Sequence, residues 1–282
     1  GDTIAAWDPV HHRLSWFSSN GSLLRETTLR SVVAASGIPV IAGGGSGWRL
    51  AAGGGFVLSV IGQAEVEPGS GNPLAARPLL IRASDGQVIH FGRVPYGETL
   101  TTTRADGMSI IIRRPFEPSV SAVIDPPRNR VVVSASAHWE LREYSLSGDL
   151  RRIIRARVPR KPVTPAMKVQ HEERTARSTR LSPSEVRRAV ETLGMPDSLP
   201  AVASMLITGD GSLVVRHRAA PGDSVLHYSV VGIDGRLERT LAIADTTARL
   251  LDVNGERLVL ARRGMFDVET INVLRAPQAK HP

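Results

Sequence analysis

One hairpin pattern recurs along the chain and restricts the folds open to it. An apolar run leads to a glycine that closes a short turn, and another apolar residue follows two positions later. Its copies are WFSSNGSLL (16–24), LIRASDGQVI (80–89), REYSLSGDLR (142–151) and SVVGIDGRLE (229–238), with glycines at Gly21, Gly86, Gly148 and Gly235. Because glycine readily adopts the positive φ that such turns need, the pattern predicts β-hairpins along the whole chain.

A second repeat marks hairpin corners. The segments IAAWDPVHHRLSWF (4–17) and SAVIDPPRNRVVVS (121–134) share one spacing, in which Asp8-Pro9 precedes Arg13 as Asp125-Pro126 precedes Arg130. A proline directly after a strand cannot extend the hydrogen-bond ladder and presets a turn. Both segments are therefore predicted to be strand–corner–strand units.

Short β-prone runs that recur at long intervals predict an all-β fold built from repeats. A period of roughly 40–65 residues holds four strands with their loops, which is one blade of a β-propeller. We predict one propeller domain over 1–282. Chance similarity among ordinary hairpins is the alternative.

The segment 164–196 breaks the β pattern and predicts a helical hairpin inserted between blades. In SPSEVRRAVETLGMP (182–196), Ser182 is a plausible N-cap, Glu185 stands where a capping box has its acid, and Gly194 ends the helix. Val186, Val190 and Leu193 share one face, which predicts that this face packs. A first helix over about 165–178 pairs with this one.

The positive charge of the chain is concentrated in residues 151–190. This segment has twelve lysines and arginines against three acidic residues, whereas the whole chain has a formal charge of +8. Five arginines of the insertion form a candidate surface for an anionic partner, either a protein or a polyanion: Arg174, Arg177, Arg180, Arg187 and Arg188. A solvated helical face is the alternative. Residues 162–200 contain no aromatic side chain, so specific nucleic-acid recognition by stacking is not expected.

No residue set predicts catalysis, a metal site or a cofactor. The chain has no cysteine, His11-His12 alternate across a predicted strand end, and His217 and His227 could converge across a loop but lack a third ligand. The glycine runs at 43–47 and 53–55 lack the lysine of a phosphate loop. Four corner residues could approach the propeller axis and hold a cation, although such residues usually form turns: Asp8, Asp125, Asp210 and Asn254.

One long stretch carries a family resemblance. Residues 110–165 resemble secreted six-bladed β-propeller proteins of bacteria, related to NHL and TolB-type propellers. The matching positions are Trp139, Leu141, Tyr144, Gly148, Leu150, Arg152, Ile154 and Arg155. Segments 199–216 and 253–275 are similar to the family as well. The resemblance implies a propeller of the six-bladed type from which the first blade is missing, and a periplasmic or extracellular location. About five blades are then present, at 1–30 (incomplete), 31–94, 95–160, 199–244 and 245–276. It implies no activity, because members of the family generally lack an assigned one.

The sequence therefore favours an exported binding or interaction scaffold without catalysis of its own. The rival prediction is a metal-dependent, lactonase-like hydrolase or a lyase with its active site at the central channel. A third possibility is a structural part of a larger polypeptide. No membrane-spanning segment is predicted, because the longest uncharged stretch, 31–48, contains five glycines and a proline.

Overall fold

In a computed structural model, the described part of the chain contains twenty strands and two α-helices. The structure describes residues 3–8, 11, 13–28, 49–50, 56–63, 72–82, 87–92, 94–103, 106–118, 120–134, 137–254, 257–263 and 268–275. The described strands form five antiparallel sheets. The prediction of an all-β fold with inserted helices is confirmed.

The elements follow one another in chain order. The first sheet contains β1 (Thr3–Asp8), β2 (Arg13–Ser18) and β3 (Leu23–Thr28). The second contains β4 (Arg49–Leu50), β5 (Phe56–Gln63), β6 (Asn72–Arg82), β7 (Val88–His90), β8 (Val94–Thr103) and β9 (Ser109–Arg113). The third contains β10 (Ser121–Asp125), β11 (Arg130–Ser134), β12 (Glu140–Tyr144) and β13 (Leu150–Arg155).

Helices α1 (Pro165–Thr179) and α2 (Pro183–Leu193) come next. The fourth sheet contains β14 (Val202–Ile207), β15 (Leu213–His217), β16 (Leu226–Val231) and β17 (Leu237–Ile243). The fifth contains β18 (Arg249–Asn254), β19 (Arg257–Arg263) and β20 (Glu269–Arg275).

The third and fourth sheets are four-stranded meanders in which each strand pairs with the next one along the chain. Their first strands lie side by side, because β10 contacts β14, and β14 in turn contacts β18. Further along, β5 contacts β10, and β1 contacts β4. Adjacent sheets thus meet through their first strands, except that the second sheet contacts the third through β5, its second strand. The blades of a propeller are likewise placed side by side around an axis.

The predicted blade boundary at residues 94 and 95 is wrong. Strands β8 and β9 belong to the second sheet, where Asn72 of β6 is paired with Thr99 of β8. Pro95 lies at a register shift of this pairing, and a strand tolerates proline at such a bulge. Strand β8 therefore begins at Val94 and contains the proline as its second residue.

The glycine turns adopt the predicted conformation. Gly21, Gly148 and Gly235 have φ values of 83°, 98° and 85°. Each glycine N–H donates to the carbonyl three residues earlier, at 2.9, 3.1 and 2.9 Å. The prediction is confirmed at these three turns, whereas Gly86 lies outside the described residues.

The Asp-Pro corners are equivalent too, since Asp8 is paired with Arg13 as Asp125 is with Arg130. The Asp-Pro corners and the glycine turns nevertheless align the strands of the first sheet with different strands of the third. The corners equate β1–β2 with β10–β11, whereas the glycine turns equate β2–β3 with β12–β13. The first sheet is therefore not a simple copy of the third.

The core consists of apolar layers between adjacent sheets. Val131 of β11 faces a cluster with Leu80 and Phe91 of the second sheet. Its neighbour Val132 faces the opposite way, into a cluster with Met205 of the fourth sheet. Because successive side chains of a strand point to opposite faces, a strand buried on both sides reads as an unbroken apolar run.

Buried charges also join the third sheet to the fourth. Asp125, Arg130 and Glu143 are buried, and Arg130 lies 3.0 Å from Asp125 and 3.7 Å from Glu143. Three arginines of the third sheet also donate to carbonyl oxygens in turns of the fourth: Arg128 to Asp210 (2.8 Å), Arg130 to Gly211 and Arg152 to Ile233. These bonds satisfy turn carbonyls that the sheet itself leaves free.

The two helices begin and pack as the sequence predicts. Ser182 caps α2 by accepting from the Glu185 N–H at 3.3 Å, and the Glu185 carboxylate accepts from the Ser182 N–H at 2.8 Å. Val186, Val190 and Leu193 are buried in a cluster that also contains Ile112, Leu100 and Ile110 of the second sheet. The insertion therefore packs against a sheet that is distant from it in sequence. Among the described helices, neither is long and apolar enough to cross a bilayer.

Candidate functional site

The helical insertion leaves the sheets and returns to them at one place. The Leu199 N–H donates to the Lys161 carbonyl at 2.8 Å, and the Val163 N–H donates to the Asp197 carbonyl at 3.0 Å. The two ends of the insertion therefore run antiparallel as a short pair. This pairing holds Lys161 beside the chain that enters β14.

A small cleft opens between this pair of segments and strands β15 and β16. We call it the basic cleft, and its volume is ≈ 50 Å³. Buried Leu199 and Ala201 line it on the apolar side. Its basic residues are Arg160, Lys161, His217, Arg218 and His227.

The loop between β15 and β16 supplies one acidic group beside the basic cleft. Residues 220–223 form a turn in which the Asp223 N–H donates to the Ala220 carbonyl at 3.1 Å, and Gly222 has φ of 90°. The Asp223 carboxylate accepts from the Ala220 N–H at 2.6 Å and from the Lys161 ammonium. The bond from Lys161 lowers the pKa of Asp223 below its ordinary value.

Arg218 is a partly buried cation of the basic cleft. Burial, and then the like charge of Arg216, lower the pKa of Arg218 below its ordinary value. In the described part of the chain, the Arg218 guanidinium has neither an ion pair nor a hydrogen bond to another residue. A partly desolvated cation without an acid is stabilised by any anion that reaches it.

His217 lies at the inner side of the same cleft. Its Nε2 is 2.8 Å from Oγ of the buried Ser229. Burial lowers the pKa of His217, and the positive charges of His227 and Lys161 lower it further. The imidazole is therefore held neutral near pH 7, and an anion in the cleft would favour its protonation.

The arrangement suits the binding of an anion. Arg160, Lys161 and Arg218 are permanent cations, and Asp223 is paired with Lys161 alone. Arginine and lysine bind carboxylates and phosphates through charge-assisted hydrogen bonds. Within the described ranges, no three His, Asp or Glu side chains are placed to hold a metal ion.

The predicted arginine surface is exposed throughout: Arg174, Arg177, Arg180, Arg187 and Arg188. Arg187 Nε lies 3.4 Å from the buried carboxylate of Glu172, and Arg177 Nε donates to the Glu173 carbonyl at 3.3 Å. The side chains of the other three make no ion pair or hydrogen bond with any described residue. Their role in binding stays a prediction.

The corner residues considered as cation ligands are engaged in their own turns. Asp125 pairs with Arg130, and Asp8 lies 2.7 Å from His11 Nδ1. The Asp210 carboxylate accepts from the Ser212 N–H at 2.9 Å, and Asn254 pairs across its corner with Arg257. These contacts are those of turn formers. His12 and the glycine runs at 43–47 and 53–55 lie outside the described residues.

Sequence reasoning located part of the basic cleft. The sequence allows His217 and His227 to converge, and both line this cleft. Arg160 and Lys161 belong to the basic segment, but nothing singled them out, and Arg218 was missed. A usable signal was present, because PRKP (159–162) and RHRAAPGD (216–223) each place basic residues next to turn-forming residues.

Comparison with known proteins gives no family. No family model matches the chain, and no curated protein matches it. Among solved structures, a member of the DUF4221 family from Bacteroides vulgatus has a similar backbone, with a TM-score of 0.48. Its sequence identity is 9%, over 98% of this chain and 76% of that chain. A functionally unknown protein from Desulfotomaculum acetoxidans has 8% identity over 98% and 86%, with a TM-score of 0.32. The WD40 domain of SCAP from fission yeast has 9% identity over 98% and 76%, with a TM-score of 0.28. Similarity at this level transfers no function.

Proposed function

We propose that this chain is a β-propeller that acts as a binding module and holds an anionic ligand in the basic cleft. The observation that carries the proposal is the excess of cations there, because among the described residues three permanent cations line the cleft and one carboxylate, that of Asp223, lies beside it. The four-stranded meanders with adjacent first strands support a propeller. The six-bladed type, the relation to NHL and TolB-type propellers and a periplasmic or extracellular location are part of this proposal and rest on the sequence resemblance.

The electrostatics of the basic cleft favour a ligand over a structural role. A charge cluster that only stabilised the fold would pair its cations with acids, as Arg130 does with Asp125 at 3.0 Å. Arg218 lacks such a partner among the described residues, and burial makes its charge costly. Hydrogen bonds to a charged group contribute about 1.5–3 kcal/mol each, so an anion that meets Arg218 and Lys161 gains on both.

The size of the cleft restricts what enters it. A volume of ≈ 50 Å³ holds a few water molecules or one small charged group. A carboxylate or a phosphate group fits this description, whereas a whole sugar ring or a nucleobase does not. The anion is therefore one group of a ligand whose remainder lies outside the cleft.

The arginine surface is proposed as a second contact area, for an anionic protein or polyanion. Its support is that Arg174, Arg180 and Arg188 are exposed and meet no acid in the described part of the chain. This surface lies on α1 and α2, whereas the basic cleft lies at strands β15 and β16. The two sites are therefore testable separately.

A thermal-unfolding titration tests the anion site. Inorganic phosphate, added against chloride at constant ionic strength, should raise the midpoint of the wild-type chain. Arg218→Gln should lose most of this shift, with an affinity at least tenfold lower. Arg236→Gln is the matched control, since the Arg236 side chain is 88% exposed on another turn. Equal shifts in the wild type and Arg218→Gln would overturn the proposal.

A further inference from the structure

An open groove lies directly beside the basic cleft. We call it the apolar groove, and its volume is ≈ 850 Å³. One wall is the start of α1, with Ala166, Met167 and Val169. The other is the turn between β15 and β16, with Ala220 and Pro221. Most of this lining is aliphatic, and Val169 is 54% exposed.

The cleft and the groove are adjacent compartments. Lys161 lines both, and the loop that follows β15 lines first the cleft, through Arg218, and then the groove, through Ala220 and Pro221. A ligand group in the cleft can therefore be followed by a chain that continues along the groove.

The groove has a charge polarity that orients an occupant. Lys161 lies at its cleft end, and the N-terminus of α1 adds partial positive charge there. The acidic side chain in its lining, Glu173, lies two helical turns beyond Ala166, about 10 Å along α1. An anionic head is thus attracted to the cleft end and repelled from the other.

From this arrangement we propose that the ligand is an anionic amphiphile, an aliphatic carboxylate with its head in the basic cleft and its chain along the apolar groove. This inference rests on the proposed anion site and names the class of ligand that fills it. The carboxylate meets Lys161 and Arg218, and the chain covers Ala166 and Val169. Because the groove is open, each methylene loses only part of its contact with water, and we expect about a twofold gain in affinity per methylene.

Calorimetric titration with a homologous series tests the inference. Acetate, hexanoate, octanoate and decanoate are compared below their micellar concentrations at constant ionic strength, with octanol as the uncharged counterpart. Affinity should rise from acetate to octanoate by at least tenfold, and octanol should bind at least tenfold more weakly than octanoate. Octanol binding as tightly as octanoate would overturn the inference.

Two variants separate the inference from the proposed function. Val169→Glu places a charge in the groove at an exposed position, so it should abolish the chain-length dependence and leave acetate binding within threefold of the wild type. Leu237→Glu is its control, because Leu237 is 53% exposed on β17. If acetate and octanoate bind equally, and both are lost in Arg218→Gln, the amphiphile is refuted and the anion site stands. If neither carboxylates nor phosphate bind, the amphiphile inference and the proposed anion site are both refuted.

Discussion

The chain has two basic regions that differ in how exposed their charged groups are to water. The arginine surface on α1 and α2 has five cations, all of them exposed. The basic cleft has fewer permanent cations, but Arg218 is partly buried, and its pKa is lowered by that burial. Exposed charges are well solvated and interact weakly with single ions. This difference indicates that partial burial of a cation, more than the number of cations, identifies a binding site for a small ligand.

Each region also contains an acid, and the two acids have opposite settings. Glu172 is buried beneath the exposed Arg187, and Glu172 Oε1 has no hydrogen-bond partner within the described ranges. Asp223 is more accessible and is held by Lys161 and by its own turn. On the helices, Arg187 therefore stabilises the charge of the buried Glu172. In the basic cleft, Asp223 instead competes with any bound anion for the positive charge of Lys161.

The largest expected effect concerns the stability of the helical pair. Arg187→Ala removes the cation 3.4 Å from Glu172 and leaves a buried carboxylate unpaired. Removing one partner of a fully buried pair costs 3–5 kcal/mol, and since Arg187 is itself 62% exposed we expect about 2 kcal/mol. Urea unfolding of the whole chain measures this free energy.

Arg188→Ala is the matched control for that measurement. Arg188 is the adjacent residue on α2, it is exposed, and its side chain meets no acid in the described part of the chain. Its removal should change the free energy of unfolding by less than about 0.5 kcal/mol. Equal losses in both variants would show that the two arginines do not differ as the comparison claims.

Local patterns explain why much of the fold was predictable. The positive φ at Gly148 and the capping box of Ser182 and Glu185 depend on residues within a few positions of one another. The burial of Val186 follows from helical periodicity in the same way. Such features are set by the chain's neighbouring residues and are visible in sequence.

The rest depends on contacts between distant segments. The basic cleft unites Lys161 with Arg218, which become neighbours only when the insertion closes on itself and β15 packs beside it. The second sheet extends beyond the predicted boundary because β8 pairs with β6, and a bulge in this pairing accommodates Pro95. Neither the cleft nor the bulge has a local signature strong enough to predict it.

A smaller effect is expected from removing the competing acid. Asp223→Asn abolishes the negative charge beside Lys161 but retains an oxygen that accepts from the Ala220 N–H, so the turn should persist. Phosphate affinity should then rise about fivefold, because Lys161 no longer divides its charge between two anions. Asp234→Asn is the control, since Asp234 likewise accepts a turn N–H, from Arg236 at 2.9 Å, but lies in the turn between β16 and β17 and is 61% exposed. Weaker phosphate binding in Asp223→Asn would contradict this competition.

The smallest expected effect is the pH dependence of the cleft. Burial lowers the pKa of His217, so as pH falls below the ordinary histidine value the unfolded chain takes up this proton first. In the absence of an anion, the His217 contribution to stability is therefore present at neutral pH and is lost as the pH falls towards the lowered pKa. His171 contributes in the same direction, because burial lowers its pKa too. The share of His217 is the difference between the wild type and His217→Asn.

A bound anion favours the protonated form of His217. The pH dependence of anion binding is therefore the most direct test of desolvation in the cleft. Protonated His217 would share the cleft with His227, Lys161, Arg218 and Arg160, and the acid described beside the cleft, Asp223, is paired with Lys161, so a bound anion would stabilise the charge of His217. Sulfate, which does not titrate in this range, should bind about threefold more tightly at pH 5.5 than at pH 7.5. His217→Asn keeps a polar group near Ser229 and should lose most of this rise. An unchanged rise in His217→Asn would place the titrating group elsewhere, and a flat profile in the wild type would mean that water, not the bound anion, already compensates the charges of the cleft.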